Sequence, residues 1–253
     1  MWRRGGINSV SNQERQPRGR TQPMENRILA ALPGGELERL RPHMERVRLA
    51  RGQPVIVPEK PIRDFYFPLT CLLSLVTTMA DGASVESGTI GREGASGVAV
   101  LLDARQTTMQ TFVQVPGEAF KVRADIIKAA YDSGGVLRTL LNRYIHTLIV
   151  VSSHSAACNR LHGLEQRFCK WLLMSSDGIG SDEVGLTQEF LAVMLGVRRA
   201  GVTEAALKVQ AAGIISYGRG LIRIIDRERL KLSACECYAR MKAEYERLFG
   251  GGS

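Results

Sequence analysis

Apolar positions change their spacing several times along this chain. From Met24 to about His43, Ile28, Leu29, Leu32, Leu37 and Leu40 recur at helical intervals, and Pro33-Gly34-Gly35 divides the run into two short helices. The period then drops to two. VRLARGQPVIV holds two β-branched runs around Gly52, FYFPLTCLLSLVTTM is an apolar run interrupted by Pro68, and ASVESGTI alternates after Asp81-Gly82. TMQTFVQV and EAFKV flank the turn Pro116-Gly117. Short strands bounded so regularly by turn residues predict an antiparallel sandwich or roll over residues 24–135.

After Val136 the spacing becomes 3.5. Leu137, Leu141, Tyr144, Leu148, Val151, Ser155 and Cys158 step alternately by four and three, a heptad seam, while Leu140, Ile145 and Ile149 widen the stripe. The pattern predicts a helix over 136–160 that packs on its own domain with one face and on a second copy with the other. Leu137, Leu141, Tyr144, Leu148, Val151 and Ser155 are the expected dimer contacts; an ordinary buried helix has the same spacing. A further helix runs from Leu161 to about Met174 and ends at the loop SSDGIGSDEVG.

Residues 185–226 carry the functional signal. Thr187 suits an N-cap, Phe190, Leu191, Met194 and Leu195 share one side of the helix that follows, and Gly196 supplies a tight turn. A second helix starts near Arg198, with Val202, Ala205, Ala206 and Val209 inward and Gly213 as its stop. Two short helices joined by a glycine turn form a helix-turn-helix. The outward face of the second presents Arg198, Arg199, Thr203 and Lys208. Arginine donors in the first turn of such a helix bridge guanine O6 and N7, which makes Arg199 the principal base-reading candidate. Two short strands around Tyr217-Gly218-Arg219-Gly220 make a wing whose tip cation, Arg219, suits a phosphate.

Charge supports a polyanionic partner. The 253 residues carry 34 Lys plus Arg against 25 Asp plus Glu, a net +9. Residues 1–23 hold five arginines against Glu14 and no apolar periodicity, the composition of a basic tail that either follows phosphate or is a solvated extension. No apolar run approaches the length of a membrane span. The five cysteines (Cys71, Cys158, Cys169, Cys235, Cys237) form an odd set without a signal peptide, so reduced thiols and a cytoplasmic setting are expected. Cys235-x-Cys237 has neither a second pair nor a histidine cluster nearby in sequence, and no metal or other cofactor is expected.

In this order of parts, and most of all in LTQEFLAVMLGVRRAGVTEAALKVQAAGII, the chain from Met24 to about Leu232 resembles the Crp/Fnr family of bacterial transcription regulators. The resemblance implies an α+β fold: an N-terminal antiparallel roll like a cyclic-nucleotide-binding domain, a dimerisation helix, and a winged helix-turn-helix over 161–253. It implies a homodimer on a pseudo-palindromic double-stranded DNA site, with Thr187 and Gln188 joining the contacts; RNA polymerase is a further candidate partner and a membrane is not. Where members resembling the catabolite activator place Arg-Glu-Thr-Val-x-Arg, this chain has Arg199-Ala200-Gly201-Val202-Thr203-Glu204, so the operator does not transfer.

The nucleotide pocket departs further. The region matching the family's ribose and phosphate segment contains Gly91, Arg92, Glu93 and Gly94, with Thr107-Thr108 where a phosphate-binding arginine pair is expected and Arg105 two places early. These seven residues are the candidate effector contacts, the effector itself being unspecified. Without a positioned guanidinium, a cyclic phosphate loses its bidentate partner. The competing class is a ligand-binding or scaffolding module that does not bind DNA. The chain carries no HExxH, GxSxG or Walker lysine motif, so an enzyme is not expected.

Overall fold

The computed structural model describes residues 25–218 and 220–250. The basic tail at 1–23 and the wing-tip Arg219 lie outside the described residues.

The two short helices expected at the start are α1 (Arg27–Ala30) and α2 (Gly34–Leu40). Asn26 caps α1, its side-chain oxygen accepting from the Ile28 and Leu29 amides. Its amide nitrogen donates to the Pro68 and Gly94 carbonyls at 3.0 and 2.9 Å, so one buried residue ties the entry to two separate points of the roll. Seven strands follow: β1 (Glu45–Leu49), β2 (Pro54–Ile56), β3 (Asp64–Pro68), β4 (Leu72–Thr78), β5 (Ser84–Ile90), β6 (Gln110–Val115) and β7 (Gly117–Arg123). They form two antiparallel sheets, ordered β1-β7-β3 and β2-β6-β4-β5. Phe65, Phe67, Leu73, Val113, Ala119 and Val122 fill the space between them, as the alternation predicts.

Helix α3 (Ala124–Asp132), which the sequence reading did not anticipate, buries Ile127 and Tyr131 against this core. The long helix is α4 (Gly135–Leu161), and its first turn is held by Glu36 of α2. The Glu36 carboxylate accepts from the Val136 and Leu137 amides at 2.9 and 2.8 Å, and those bonds hold its pKa below the usual carboxylate value.

The faces of α4 differ from the expectation. Leu137, Leu141, Tyr144, Val151 and Ser155 are buried within the single chain, and Leu148 is half-buried against the same core. Within the single chain the predicted seam is therefore covered by the roll and by the chain's C-terminal helix. Of the second set Leu140 is buried, Ile145 half-buried and Ile149 61% exposed. A 3.5 period identifies a stripe that something covers; it does not identify what.

Helix α5 (Leu164–Ile179) also runs past its expected end at Met174, through Ser175, Ser176 and Gly178. Those residues have loop propensity, but here they are contact surface. Ser175 and Ser176 are buried, and Gly178 lets the roll approach so closely that its carbonyl accepts from the Arg92 amide at 2.9 Å. A Cβ at Gly178 would stand 2.7 Å from the Leu72 side chain.

Beyond α5 come β8 (Glu183–Gly185), α6 (Gln188–Leu195), α7 (Arg199–Ala211), β9 (Ile215–Gly218), β10 (Leu221–Ile224), α8 (Arg227–Ser233) and α9 (Cys237–Leu248). A second core joins Phe168, Leu172, Leu191, Leu195, Val202, Ala206, Ile222 and Leu230 with Leu72, Val76 and Val115 from the four-stranded sheet. Helix α9 returns to the first core, which receives Met241, Tyr245 and Leu248. No helix is long and apolar enough to cross a membrane among the described residues.

Candidate nucleic-acid interface

Helices α6 and α7 make the expected helix-turn-helix. Thr187 caps α6 by accepting from the Phe190 amide, and Gly196 ends it in the left-handed region at φ 62°, where a side chain would be strained. The α6 terminus gains a contact that sequence could not indicate: the buried Arg167 of α5 donates to the Leu195 carbonyl, placing a cation at the helix C-terminus. Val202, Ala205, Ala206 and Val209 are all buried, so the inward face of α7 is as read. Gly201 packs against Leu164 of α5, which assigns its missing side chain to internal packing.

The outward edge of α7 is organised by Gln188, the first residue of α6. Its side-chain oxygen accepts from Arg199 Nε at 3.2 Å and lies 3.2 Å from the Thr203 hydroxyl, whose proton is shared with the Arg199 carbonyl at 3.1 Å. Arg198 precedes the first turn of α7, exposed and with no side-chain hydrogen bond or ion pair among the described residues. Arg198, Arg199, Thr203 and Gln188 thus share one surface. Lys208, two turns further on, makes an exposed pair with Glu204 at 2.9 Å.

The wing forms as expected and gains a third strand. β10 pairs antiparallel with β9 and with β8, which the sequence reading left in a loop. Several wing-side cations are held internally: Arg223 by Glu183 at 2.6 Å, and Arg227 by Asp177 and by Asp182 at 2.6 Å. Arg198 and Arg199 are both exposed at the start of α7.

The seven candidate effector residues fall in different places. Arg92 and Glu93 line a small cleft between roll and C-terminal helix, together with Arg27, Asp177, Lys242 and Glu246, a mixed-charge set in which Arg27 and Glu246 pair at 3.0 Å. Gly91 and Gly94 serve packing, because a Cβ would overlap the Gly178 backbone at the first and the Tyr144 ring at the second. Arg105 gives its carbonyl to the Ile62 amide at 2.9 Å, and Thr108 is exposed. Thr107 lines a different cavity, of about 380 Å³, bounded by Ile56, Leu75, Ile90 and Met109 of the roll and by Ile145 and Ile149 of α4. No charged side chain lines it among the described residues.

Where the two cores meet, Glu86 of β5 is buried beneath α5. It accepts from Ser74 Oγ at 2.7 Å and Trp171 Nε1 at 3.1 Å, and burial raises its pKa to about 7 despite both bonds.

Residues 166–232 match the family model of the Crp-like helix-turn-helix domain. Solved structures similar to the whole chain include FixK2 from Bradyrhizobium japonicum, at 12% identity and TM-score 0.62 over 76% of this chain and 98% of that one. The c-di-GMP responsive global regulator CLP from Xanthomonas campestris matches at 16% identity and TM-score 0.60, over 76% and 99%. A CRP-family transcriptional regulator from Thermus thermophilus matches at 16% and 0.60, over 76% and 96%. No curated protein matches the sequence. The fold of the chain is that of these solved structures, and residues 166–232 are similar to a Crp-like helix-turn-helix domain.

Proposed function

We propose that this chain is a homodimeric, sequence-specific DNA-binding transcription regulator acting in the cytoplasm, and not an enzyme. The observation that carries the reading is the start of α7. Arg198 and Arg199 stand exposed on a helix-turn-helix whose inward face is packed, and Gln188 orients Arg199. A guanidinium held by a neighbouring amide loses less freedom on meeting a guanine, which favours a specific contact over diffuse phosphate attraction.

The dimer is proposed to form through the outer stripe of α4: Asn142, Ile145, Ile149, Ser152 and Ala156, which step by three and four like the inner seam. Ile149 at 61% exposure is the anchor, and the small neighbours let two helices approach. Paired copies would address a pseudo-palindromic site with half-sites about one helical turn apart; RNA polymerase is the further partner such a regulator would engage.

The roll is proposed to be a sensor whose ligand is largely apolar. Its cavity touches Ile145 and Ile149 of the proposed dimer stripe, so an occupant would act on the dimer directly. With no cation in the lining, a cyclic phosphate or a cyclic dinucleotide has no charge-assisted partner there. The likeness to a c-di-GMP responsive regulator therefore does not bring that ligand with it.

The test is selection of duplex DNA by the full chain from a random pool, followed by footprinting. A recovered inverted repeat, bound with a steep salt dependence, supports the reading. Binding that is weak and equal on all sequences overturns it in favour of the scaffolding class.

A further inference from the structure

Apart from the two cores, the structure gathers a third buried cluster, Cys158, Cys235 and Cys237, none more than 4% exposed. Cys158 lies in the last turn of α4, and His162, four residues on, caps that helix. Four residues turn a helix by about 400°, so the thiol and the imidazole lie on one face. Cys235 and Cys237 come from the joint between α8 and α9. The Cys158 and Cys235 sulfurs are 3.6 Å apart, Cys237 Sγ is 3.6 Å from His162 Nδ1, and all four donor atoms lie within 4.8 Å of one another. The sequence separates the two pairs by more than 70 residues, which is why Cys235-x-Cys237 carried no metal expectation.

We propose that Cys158, His162, Cys235 and Cys237 bind one Zn²⁺ ion in a closed tetrahedral site. Zinc bonds of about 2.3 Å to sulfur and 2.0–2.1 Å to nitrogen require tetrahedral edges of about 3.6–3.8 Å, which the two 3.6 Å separations meet. Three thiolates and an imidazole are soft and borderline donors suited to zinc and unsuited to magnesium or calcium. The second nitrogen of the imidazole faces Glu236 Oε1 at 3.2 Å, the outer carboxylate that fixes a zinc-bound histidine in one tautomer. A disulfide is the competing chemistry for two of the thiols, but the 3.6 Å Cys158–Cys235 separation is far from a bond of about 2.04 Å. With four protein ligands there is no open position, so the role is structural: the ion staples the α8–α9 joint to the end of α4. That end, at His162-Gly163, is where the chain passes from the roll and its helix into the DNA-binding helices. Binding deprotonates the three thiols and releases their protons to solvent.

The untagged full chain, purified reduced and without chelator, should contain one zinc per chain by elemental mass spectrometry. Exchange with Co²⁺ should give the sulfur-to-cobalt charge-transfer band and intense visible bands of a tetrahedral thiolate site. Cys235→Ser and His162→Ala should lose the retained zinc, whereas Cys71→Ala should keep it. Glu236→Gln should keep the cobalt spectrum but weaken zinc retention against a competing chelator by about 10- to 100-fold. If the cluster variants fail to fold, the cobalt spectrum of the unaltered protein decides. Reduced wild-type protein with neither zinc nor a tetrahedral cobalt spectrum overturns the proposal. So does metal-free protein isolated with a Cys158–Cys235 disulfide, or a preference for another ion when zinc is offered equally.

Discussion

Helices α4 and α7 each bury one apolar face and turn another face outward, but the outward faces differ in kind. On α7 the buried set is Val202, Ala205, Ala206 and Val209, and the exposed edge carries Arg198, Arg199 and Lys208. On α4 the buried set is Leu137, Leu141, Tyr144 and Val151, and the exposed face still contains Ile149 at 61%. A polar outer face is satisfied by water and waits for an anion. An outer face with apolar residues is satisfied only by a further apolar surface. Under the proposed function α7 reads DNA and α4 brings two copies together, and the two faces of α4 should respond to mutation in opposite ways.

The largest effect is expected on the inner face. Leu141 is fully buried between roll and α4, and Leu141→Ala should cost about 2–5 kcal/mol of stability through lost burial and a residual cavity. Urea denaturation reads this directly, and a change under 1 kcal/mol would mean that the inner face is not core. Ile149→Glu should do the reverse. With its side chain exposed in the single chain, folding stability should be nearly unchanged, while a charge opposed to its symmetry mate should split the dimer by several kcal/mol. Sedimentation at micromolar concentration is the check, and an intact dimer would remove the outer stripe from the interface.

A third effect lies between the two cores. Glu86 has a folded pKa of about 7, raised by burial above its unfolded value. The folded state therefore binds the proton more tightly. Its stabilising contribution is complete below the unfolded pKa and is lost as pH rises towards and through about 7, amounting to a few kcal/mol on the order of magnitude. Glu86→Gln should flatten that part of the pH–stability curve; an unchanged slope between about pH 5 and 8 would show that Glu86 is hydrated or already ionised in the folded protein.

What the sequence made legible follows the same contrast. The α7 segment announces itself because its apolar and charged residues are on opposite sides, and Gly196 and Gly213 sit at the turns before and after it with positive φ. The α4 segment has apolar residues on two sides, and a seam of 3.5 spacing looks the same whether a roll or a second copy covers it. Ser175, Ser176 and Gly178 read as loop because their local propensity favours one, yet all three are helical and buried in α5, Gly178 against the roll. The effector residues scattered for a related reason. Gly91 and Gly94 suggest a phosphate cradle by composition, yet each is small because another part of the chain touches it. Nothing local joins Cys158 to Cys235, so that cluster had no sequence signal beyond the single Cys-x-Cys.

The smallest effects concern DNA reading, and there two substitutions together carry more than either alone. Arg199→Ala should weaken the selected site by about 1–3 kcal/mol, the cost of a lost bidentate base contact, and leave random duplex almost unaffected. Arg198→Ala, which removes an exposed cation with no internal partner among the described residues, should lower specific and random affinity together and flatten the salt slope by about one unit. Gln188→Ala tests whether the pair is pre-set. It removes no charge, but it frees Arg199 Nε from its 3.2 Å acceptor, so it should cost about 1 kcal/mol on the selected site and nothing on random DNA. In the Arg199→Ala background that extra cost should vanish, since Gln188 then has no guanidinium to orient. Additive losses in the double variant, measured by fluorescence anisotropy at one fixed salt concentration, would instead make Gln188 a direct DNA ligand.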